Sequence, residues 1–119
     1  KPKYVLEKVE MEAERFKNPV IAFFGLAFKP DIDDLRESPA MQIVEDFAKK
    51  KVGTVIAVEP YVDSLPSNLG DLKIVKMNTA DAIEKADIVV LLVDHSEFKN
   101  VEKESLMAKV IIDTRGIWK

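Results

Sequence analysis

Short apolar runs recur along the chain and predict the strands of a sheet. The clearest are residues 20–24, 54–58 and 88–93, each five or six residues long. Runs this short and nearly unbroken are typical of strands covered on both faces. Weaker apolar runs at residues 73–75 and 110–112 predict two more strands, the first of them at a sheet edge.

Helical spacing marks several of the stretches between these runs. Apolar residues recur every three or four positions over residues 4–17, which predicts a helix that ends before Asn18-Pro19. Ser38 suits the N-cap of a second helix, and Pro39 suits its first position, where a missing N–H costs nothing. The apolar residues that follow form one stripe: Ala40, Ile43, Val44, Phe47 and Ala48.

The alternation of strands and helices predicts an α/β fold. We expect a Rossmann-like three-layer sandwich around a parallel, doubly wound sheet of about five strands. A short helix is predicted after Asn78 or Thr79, and residues 61–71 are predicted to be mostly loop. If the strand order is 3-2-1-4-5, the switch point lies between the first and fourth strands. Three loops then meet at one crevice, where such sheets bind ligands: residues 25–37, 94–98 and 113–115.

Composition and charge exclude several classes of protein. A chain of 119 residues with a net charge of −3 and both signs interspersed is large enough for one domain, but it lacks the basic face of a nucleic-acid module. No apolar run approaches the roughly 18 residues of a membrane span, and the N-terminus lacks the apolar region of a signal peptide. With no cysteine and one histidine, a disulfide framework is excluded and a structural zinc site is not expected. Because the chain begins at Lys1 rather than Met, we expect it to be a piece of a longer protein.

The loop after the first strand begins with Gly25 but lacks the glycine-rich dinucleotide motif. Ala27 and Pro30 stand where further glycines would let the backbone approach a pyrophosphate. Any phosphate at this loop is therefore expected to bind side chains. The simpler alternative is that Gly25 only permits a tight turn.

Three cations lie on the loops of the expected crevice. Lys29 suits a phosphate or a sugar hydroxyl, or it is a solvated loop lysine. Arg36 lies between Asp34 and Glu37, so it either pairs within the loop or presents a fork to an anion. Arg115 follows the last strand and either reaches the crevice or lies on the surface.

Acidic residues and the single histidine carry alternative interpretations. Asp31, Asp33 and Asp34 form a cluster that either binds a hard cation or, more commonly, pairs with nearby cations and caps backbone. Glu59 ends the second strand, where an acid holds a ribose in dinucleotide folds, although the motif that accompanies it is missing. His95 is either a general base or a structural residue.

The run from residue 25 to 41, GLAFKPDIDDLRESPAM, closely resembles the signature of the C-terminal, UDP-binding domain of the UDP-glucose/GDP-mannose dehydrogenase family. Two later segments, LVDHSEFK at residues 92–99 and DTRGIW at residues 113–118, are similar to the subfamily that oxidises UDP-N-acetyl-D-mannosamine. By this resemblance, residues 19–119 are the UDP-sugar-binding domain. Residues 1–18 look like a helical lead-in from a middle domain.

The resemblance implies an NAD-dependent reaction. A primary alcohol at C6 of a UDP-sugar becomes a carboxylate through two hydride transfers, giving a uronic acid used for surface polysaccharides. Phe28, Lys29 and Arg115 are implied to contact the UDP-sugar, and Arg36 is implied to reach NAD across the domain cleft. No catalytic residue or metal ligand is assigned to this chain.

Further expectations follow from what the family places elsewhere. Its catalytic cysteine lies in the middle domain and its glycine-rich NAD motif in the N-terminal domain, so we expect the fragment alone to be inactive. The resemblance implies a cytoplasmic enzyme that is a homodimer or larger, while this piece alone is expected to be monomeric. A UDP-N-acetylglucosamine or UDP-glucose homologue, and a non-catalytic nucleotide-binding module, remain alternatives. A receiver-like signalling domain is a poor match, because the residues that follow the second and last predicted strands do not fit its pattern.

Overall fold

Five parallel strands form one sheet. The computed structural model describes residues 2–36, 38–66 and 72–118. Its strands are β1 (Val20–Phe24), β2 (Thr54–Val58), β3 (Val75–Lys76), β4 (Ile88–Leu91) and β5 (Val110–Asp113). They lie in the order β3-β2-β1-β4-β5, and all four pairings are parallel. The predicted α/β class and strand order are confirmed, with β3 at an edge.

Helices cover both faces of this sheet. In the described part of the chain they are, in order, α1 (Pro2–Ala13), α2 (Pro39–Lys49), α3 (Thr79–Lys85), α4 (Ser96–Lys99) and α5 (Lys103–Leu106). The first two pack on one face, and α3, α4 and α5 pack on the other. An ion pair of 3.3 Å between Glu10 and Lys50 joins α1 to the end of α2.

The pleat of β1 divides the core into two halves. Ile21 and Phe23 face α1 and α2, where the Phe23 ring lies 5.7 Å from that of Phe47. Ala22 and Phe24 face the other helices, and the Phe24 ring lies 5.2 Å from that of Phe98. Because both faces are buried, every position of the strand must be apolar. This explains the unbroken apolar run seen in the sequence.

The helix starts follow the sequence closely. The Ser38 hydroxyl accepts the Met41 N–H, and Pro39 occupies the first turn of α2, as predicted. Of the two candidates for the start of α3, Asn78 is the N-cap, because its side chain accepts the Asp81 N–H at 2.8 Å.

Some element ends differ from the predictions. Helix α1 ends at Ala13 rather than at residue 17, because the Arg15 and Phe16 amides bond three residues back and tighten the chain into a turn. Strand β4 ends at Leu91 rather than at residue 93. The next two amides both donate to the Phe24 carbonyl, where β1 itself ends. Of the predicted loop at 61–71, residues 67–71 lie outside the described residues, as does Glu37.

Candidate functional site

A cleft of about 1000 Å³ lies at the carboxyl ends of β1, β4 and β5. Ala27 and Phe28 line it from the loop after β1, and residues 113–115 line it from the end of β5. Helix α1 contributes Tyr4 and Lys8 to the same cleft. The predicted switch point therefore carries a cavity. Two of the three expected loops line it, whereas residues 94–98 do not.

Arg115 is held in this cleft by the turn that follows β5. The Asp113 carboxylate accepts the backbone N–H groups of Arg115 at 3.0 Å, Gly116 at 2.7 Å and Trp118 at 2.8 Å. The Arg115 Nε donates to the Leu92 carbonyl at 3.0 Å. No hydrogen bond from the terminal nitrogens to another described residue is present. A guanidinium anchored in this way is suited to a phosphate or carboxylate.

Phe28 lies beside the same cavity, with half of its surface exposed. An exposed aromatic ring next to a fixed guanidinium offers an apolar contact and a charged contact to one ligand. The neighbouring Lys29 is exposed and is not among the residues that line the cleft.

Arg36 lies apart from these residues. It forms a two-point pair with Asp34, with Nε 3.0 Å from Oδ1 and Nη2 3.1 Å from Oδ2. That hydrogen bonding lowers the pKa of Asp34 and raises the pKa of Arg36. Arg36 lines a second groove with Val62 and Leu65. The structure thus places Phe28 and Arg115 at one cleft and Arg36 at another groove. Of the two interpretations of Arg36 from the sequence, the structure shows the pairing within the loop.

The turn after β1 is occupied by the protein itself. Gly25 adopts φ 94°, and the next two amides, of Leu26 and Ala27, donate to Glu59 Oε1 at 2.9 and 3.2 Å. In a dinucleotide fold the amides of this turn face the pyrophosphate. Because a carboxylate fills that position here, the turn does not fit a dinucleotide. Glu59 is also fully buried, so the ribose-holding role weighed from the sequence does not apply.

Glu59 and His95 form a buried pair. His95 Nε2 lies 2.9 Å from Glu59 Oε1, and both side chains are fully buried. The Asp31 backbone N–H donates to His95 Nδ1 at 2.8 Å, so Nδ1 is the acceptor and Nε2 carries the proton given to Glu59. Burial alone raises the pKa of Glu59, but hydrogen bonds from His95 and from the Leu26 amide outweigh it and lower the pKa. With both ring nitrogens engaged, the structural interpretation of His95 fits and the general-base interpretation does not.

Asp31 connects this pair to two further loops. Its carboxylate accepts the Tyr61 hydroxyl at 2.8 Å and the backbone N–H and hydroxyl of Ser96 at 2.7 and 2.6 Å. These bonds lower its pKa from 3.8 to about 2. Asp31 is thus engaged with Tyr61 and Ser96, and Asp34 with Arg36, so two members of the acidic cluster pair within the protein. Within the described ranges, no group of three His, Cys, Asp or Glu side chains could hold a metal ion.

Sequence reasoning missed two parts of this region. It gave no role at the cleft to Tyr4 or Lys8, because nothing in an amphipathic pattern says where a helix docks. It also did not connect Glu59, His95 and Asp31. A signal for that connection was present, since Glu59 and His95 follow β2 and β4, the two neighbours of β1 in the sheet.

Comparisons with known proteins agree on one family. The sequence model described as "UDP-glucose/GDP-mannose dehydrogenase family, UDP binding domain" matches residues 22–119. An NDP-N-acetyl-D-galactosaminuronic acid dehydrogenase from Ralstonia solanacearum is 51% identical over 118 residues, which are 99% of this chain and 27% of that protein. A UDP-N-acetyl-D-mannosamine dehydrogenase from Yersinia pestis is 42% identical over 127 residues, covering all of this chain and 30% of that protein.

A solved structure gives the same result. The UDP-N-acetyl-mannosamine dehydrogenase from S. aureus is similar to this chain with a TM-score of 0.80 and 33% identity, covering 99% of this chain and 27% of that one. The chain therefore spans less than a third of the length of these relatives. In the described part of the chain, no helix is both long and apolar enough to cross a membrane.

Proposed function

The chain belongs to the UDP-glucose/GDP-mannose dehydrogenase family, and from this membership we propose that its cleft binds the UDP part of a nucleotide-sugar substrate. The observation that carries the proposal is the cavity at the switch point, which joins an exposed aromatic ring, Phe28, to an anchored guanidinium, Arg115. Arg115 binds a phosphate oxygen in this proposal, and Phe28 packs on the ligand. Lys29, next to Phe28 in the chain, adds a second cation.

The whole protein is proposed to be an NAD-dependent UDP-N-acetyl-D-mannosamine 6-dehydrogenase, which turns the C6 alcohol into a carboxylate. The Yersinia pestis relative and the S. aureus structure support this substrate by their names. A second candidate is an N-acetylgalactosamine-derived sugar, because the relative named for N-acetyl-D-galactosaminuronic acid is 51% identical, a higher value than the 42% of the Yersinia pestis enzyme.

The cofactor is proposed to be held mostly by a part of the protein outside this sequence. Glu59 accepts the backbone N–H groups that would otherwise bind a pyrophosphate, so the turn after β1 is not the NAD site in this proposal. Arg36, whose side chain is 88% exposed, is the residue of this chain proposed to reach NAD from across a domain cleft.

The remaining features of the whole enzyme are also proposals. Residues 1–18 form the lead-in from a middle domain, and residues 19–119 form the UDP-sugar-binding domain. The full-length enzyme is a cytoplasmic homodimer or larger that makes a polysaccharide precursor, and this piece alone is monomeric. Because the sequence contains no cysteine, the isolated chain lacks the family's nucleophile and is inactive.

A calorimetric titration of the chain with UDP tests the binding proposal. We expect Arg115→Ala to weaken binding about tenfold or more, because a hydrogen bond to a charged group contributes about 1.5–3 kcal/mol. Lys29→Ala is expected to weaken it as well. Lys85→Ala is the charge-matched control. This exposed lysine ends α3 shortly before β4 begins, so it lies at the amino ends of the strands, away from the cleft. Failure of the wild-type chain to bind UDP, or equal losses in all three variants, would contradict the proposal.

The two candidate sugars are compared on the full-length enzyme. UDP-N-acetylmannosamine and UDP-N-acetylgalactosamine are supplied in turn with NAD, and reduced cofactor is measured. Preference for the first supports the leading candidate, and preference for the second replaces it.

A further inference from the structure

The short loop that carries Phe28 and Lys29 is held at both ends by one buried pair. On its near side, the Leu26 and Ala27 amides donate to Glu59 Oε1. On its far side, the Asp31 amide donates to His95 Nδ1 at 2.8 Å. Phe28 and Lys29, the two proposed ligand contacts, lie between these anchor points. The flanking anchors, Ala27 and Asp31, are four residues apart in the chain.

The two anchors are linked through a single proton. Glu59 accepts the His95 Nε2–H, which leaves the lone pair of Nδ1 to accept the Asp31 amide. In the other tautomer Nδ1 carries the proton, so two N–H groups face each other at 2.8 Å and the far anchor is lost. The carboxylate of Glu59 therefore fixes both ends of the loop, one directly and one through the imidazole.

The surroundings make this arrangement rigid. Tyr61 donates its backbone N–H to Glu59 Oε2 at 3.0 Å and its hydroxyl to the Asp31 carboxylate. Its ring packs against the imidazole of His95 with 4.8 Å between centroids. Full burial of the pair shields its hydrogen bonds from water, which strengthens them.

We propose that Glu59 and His95 are positioning residues that set the conformation of residues 26–31 for ligand binding. The inference rests on the proposed function, because it assumes that Phe28 and Lys29 contact the UDP-sugar. Neither member of the pair touches the ligand in this proposal. Their effect on binding passes through the backbone of the loop.

Two conservative variants of His95 separate the two nitrogens. His95→Asn places an acceptor near the position of Nδ1, so it keeps the Asp31 anchor and gives up the contact with Glu59. His95→Gln places a donor near the position of Nε2, so it keeps the contact with Glu59 and gives up the Asp31 anchor. Phe98→Leu is the control, because Phe98 is equally buried, its ring centroid lies 5.4 Å from that of the imidazole, and it forms no hydrogen bond or ring contact with the described residues 26–31.

The test measures UDP affinity by calorimetry and amide hydrogen exchange at Asp31 for each variant. We expect His95→Gln to raise the Kd for UDP about tenfold and to speed exchange at Asp31, whereas His95→Asn stays within about threefold of wild type. Phe98→Leu lowers the melting temperature but leaves the Kd unchanged. Equal Kd values for the two His95 variants, or a Kd in His95→Gln equal to that of wild type, would overturn the inference.

The wild-type protein gives an independent readout if a variant fails to fold. Nitrogen-15 spectra of the His95 imidazole are expected to show an unprotonated, hydrogen-bonded Nδ1 and a protonated Nε2. A protonated Nδ1 overturns the inference. If wild type binds no UDP, the proposed function fails, and exchange at Asp31 in His95→Gln then decides separately whether the pair positions the loop.

Discussion

Gly25→Ala is expected to be one of the most damaging small substitutions in this domain. Gly25 directly follows β1 and has φ 94°, a backbone conformation that residues with side chains rarely adopt. A Cβ built there lies 2.6 Å from Val93 Cβ, 2.8 Å from Val93 O and 2.9 Å from Val93 N. Two of these three atoms belong to backbone, so the added methyl group cannot be accommodated by a side-chain rotation.

Two effects lower the free energy of unfolding of Gly25→Ala, and a third effect raises it. A left-handed backbone costs a non-glycine residue about 1–2 kcal/mol, and overpacking against a fixed neighbour costs about 1–3 kcal/mol. Alanine also reduces the freedom of the unfolded chain, which returns about 0.4–1 kcal/mol. The net loss of about 1–5 kcal/mol is a substantial part of the roughly 5–15 kcal/mol by which domains are stable.

Thermal unfolding followed by circular dichroism measures this loss. At about 3–6 °C per kcal/mol for a domain of this size, the melting temperature should fall by roughly 3–30 °C. Gly116→Ala is the matched control, because Gly116 also has a positive φ, 76°, but is exposed. The control is expected to carry only the backbone cost. If both variants lose the same amount, the steric part of the reasoning is refuted.

Three further changes are expected to have smaller or conditional effects. Because the pKa of Asp31 is lowered to about 2, its stabilising effect is present above about pH 4 and lost as the pH falls towards 2, so the melting temperatures of wild type and Asp31→Asn should converge over that interval. Ser38→Ala removes the cap of α2 and should lower the free energy of unfolding in urea by about 1 kcal/mol. Asp34→Asn breaks the exposed pair with Arg36 and should change the melting temperature little, and less in high salt than in low salt.

Each of these expectations has a contrary result. A gap between wild type and Asp31→Asn that is constant from pH 5 down to pH 2 would contradict the account of its carboxylate. An unchanged urea midpoint in Ser38→Ala would mean that its hydroxyl does not stabilise α2. A large loss in Asp34→Asn that persists at high salt would contradict the description of its pair with Arg36 as a solvated surface contact.

Local patterns predicted much of the fold, because strand burial on both faces and helix capping depend on residues close together in the sequence. The apolar run at residues 20–24 predicted β1 to the residue, since burial on both faces leaves no other choice of side chain. Ser38-Pro39 predicted the start of α2, because capping involves only its own first turn. The ends at Ala13 and Leu91 were missed because they depend on turns and on neighbouring strands.

The site was only partly accessible to sequence reasoning. Position after a strand was enough to bring Phe28 and Arg115 to one cleft. It could not show that Arg36 pairs with Asp34 and lines a different groove. The role of Glu59 depends on hydrogen bonds to amides more than thirty positions away, which no local pattern encodes.

Mapping UDP onto the backbone amides by nuclear magnetic resonance tests directly whether the cleft at the carboxyl ends of the strands binds UDP. Shifts that grow with UDP are expected at Phe28, Thr114 and Arg115, which line the cleft. No shift is expected at Ala82 or Ile83 in α3, which pack on the opposite face of the sheet. Shifts confined to the groove around Arg36, or no shifts at saturating UDP, would contradict UDP binding at the cleft.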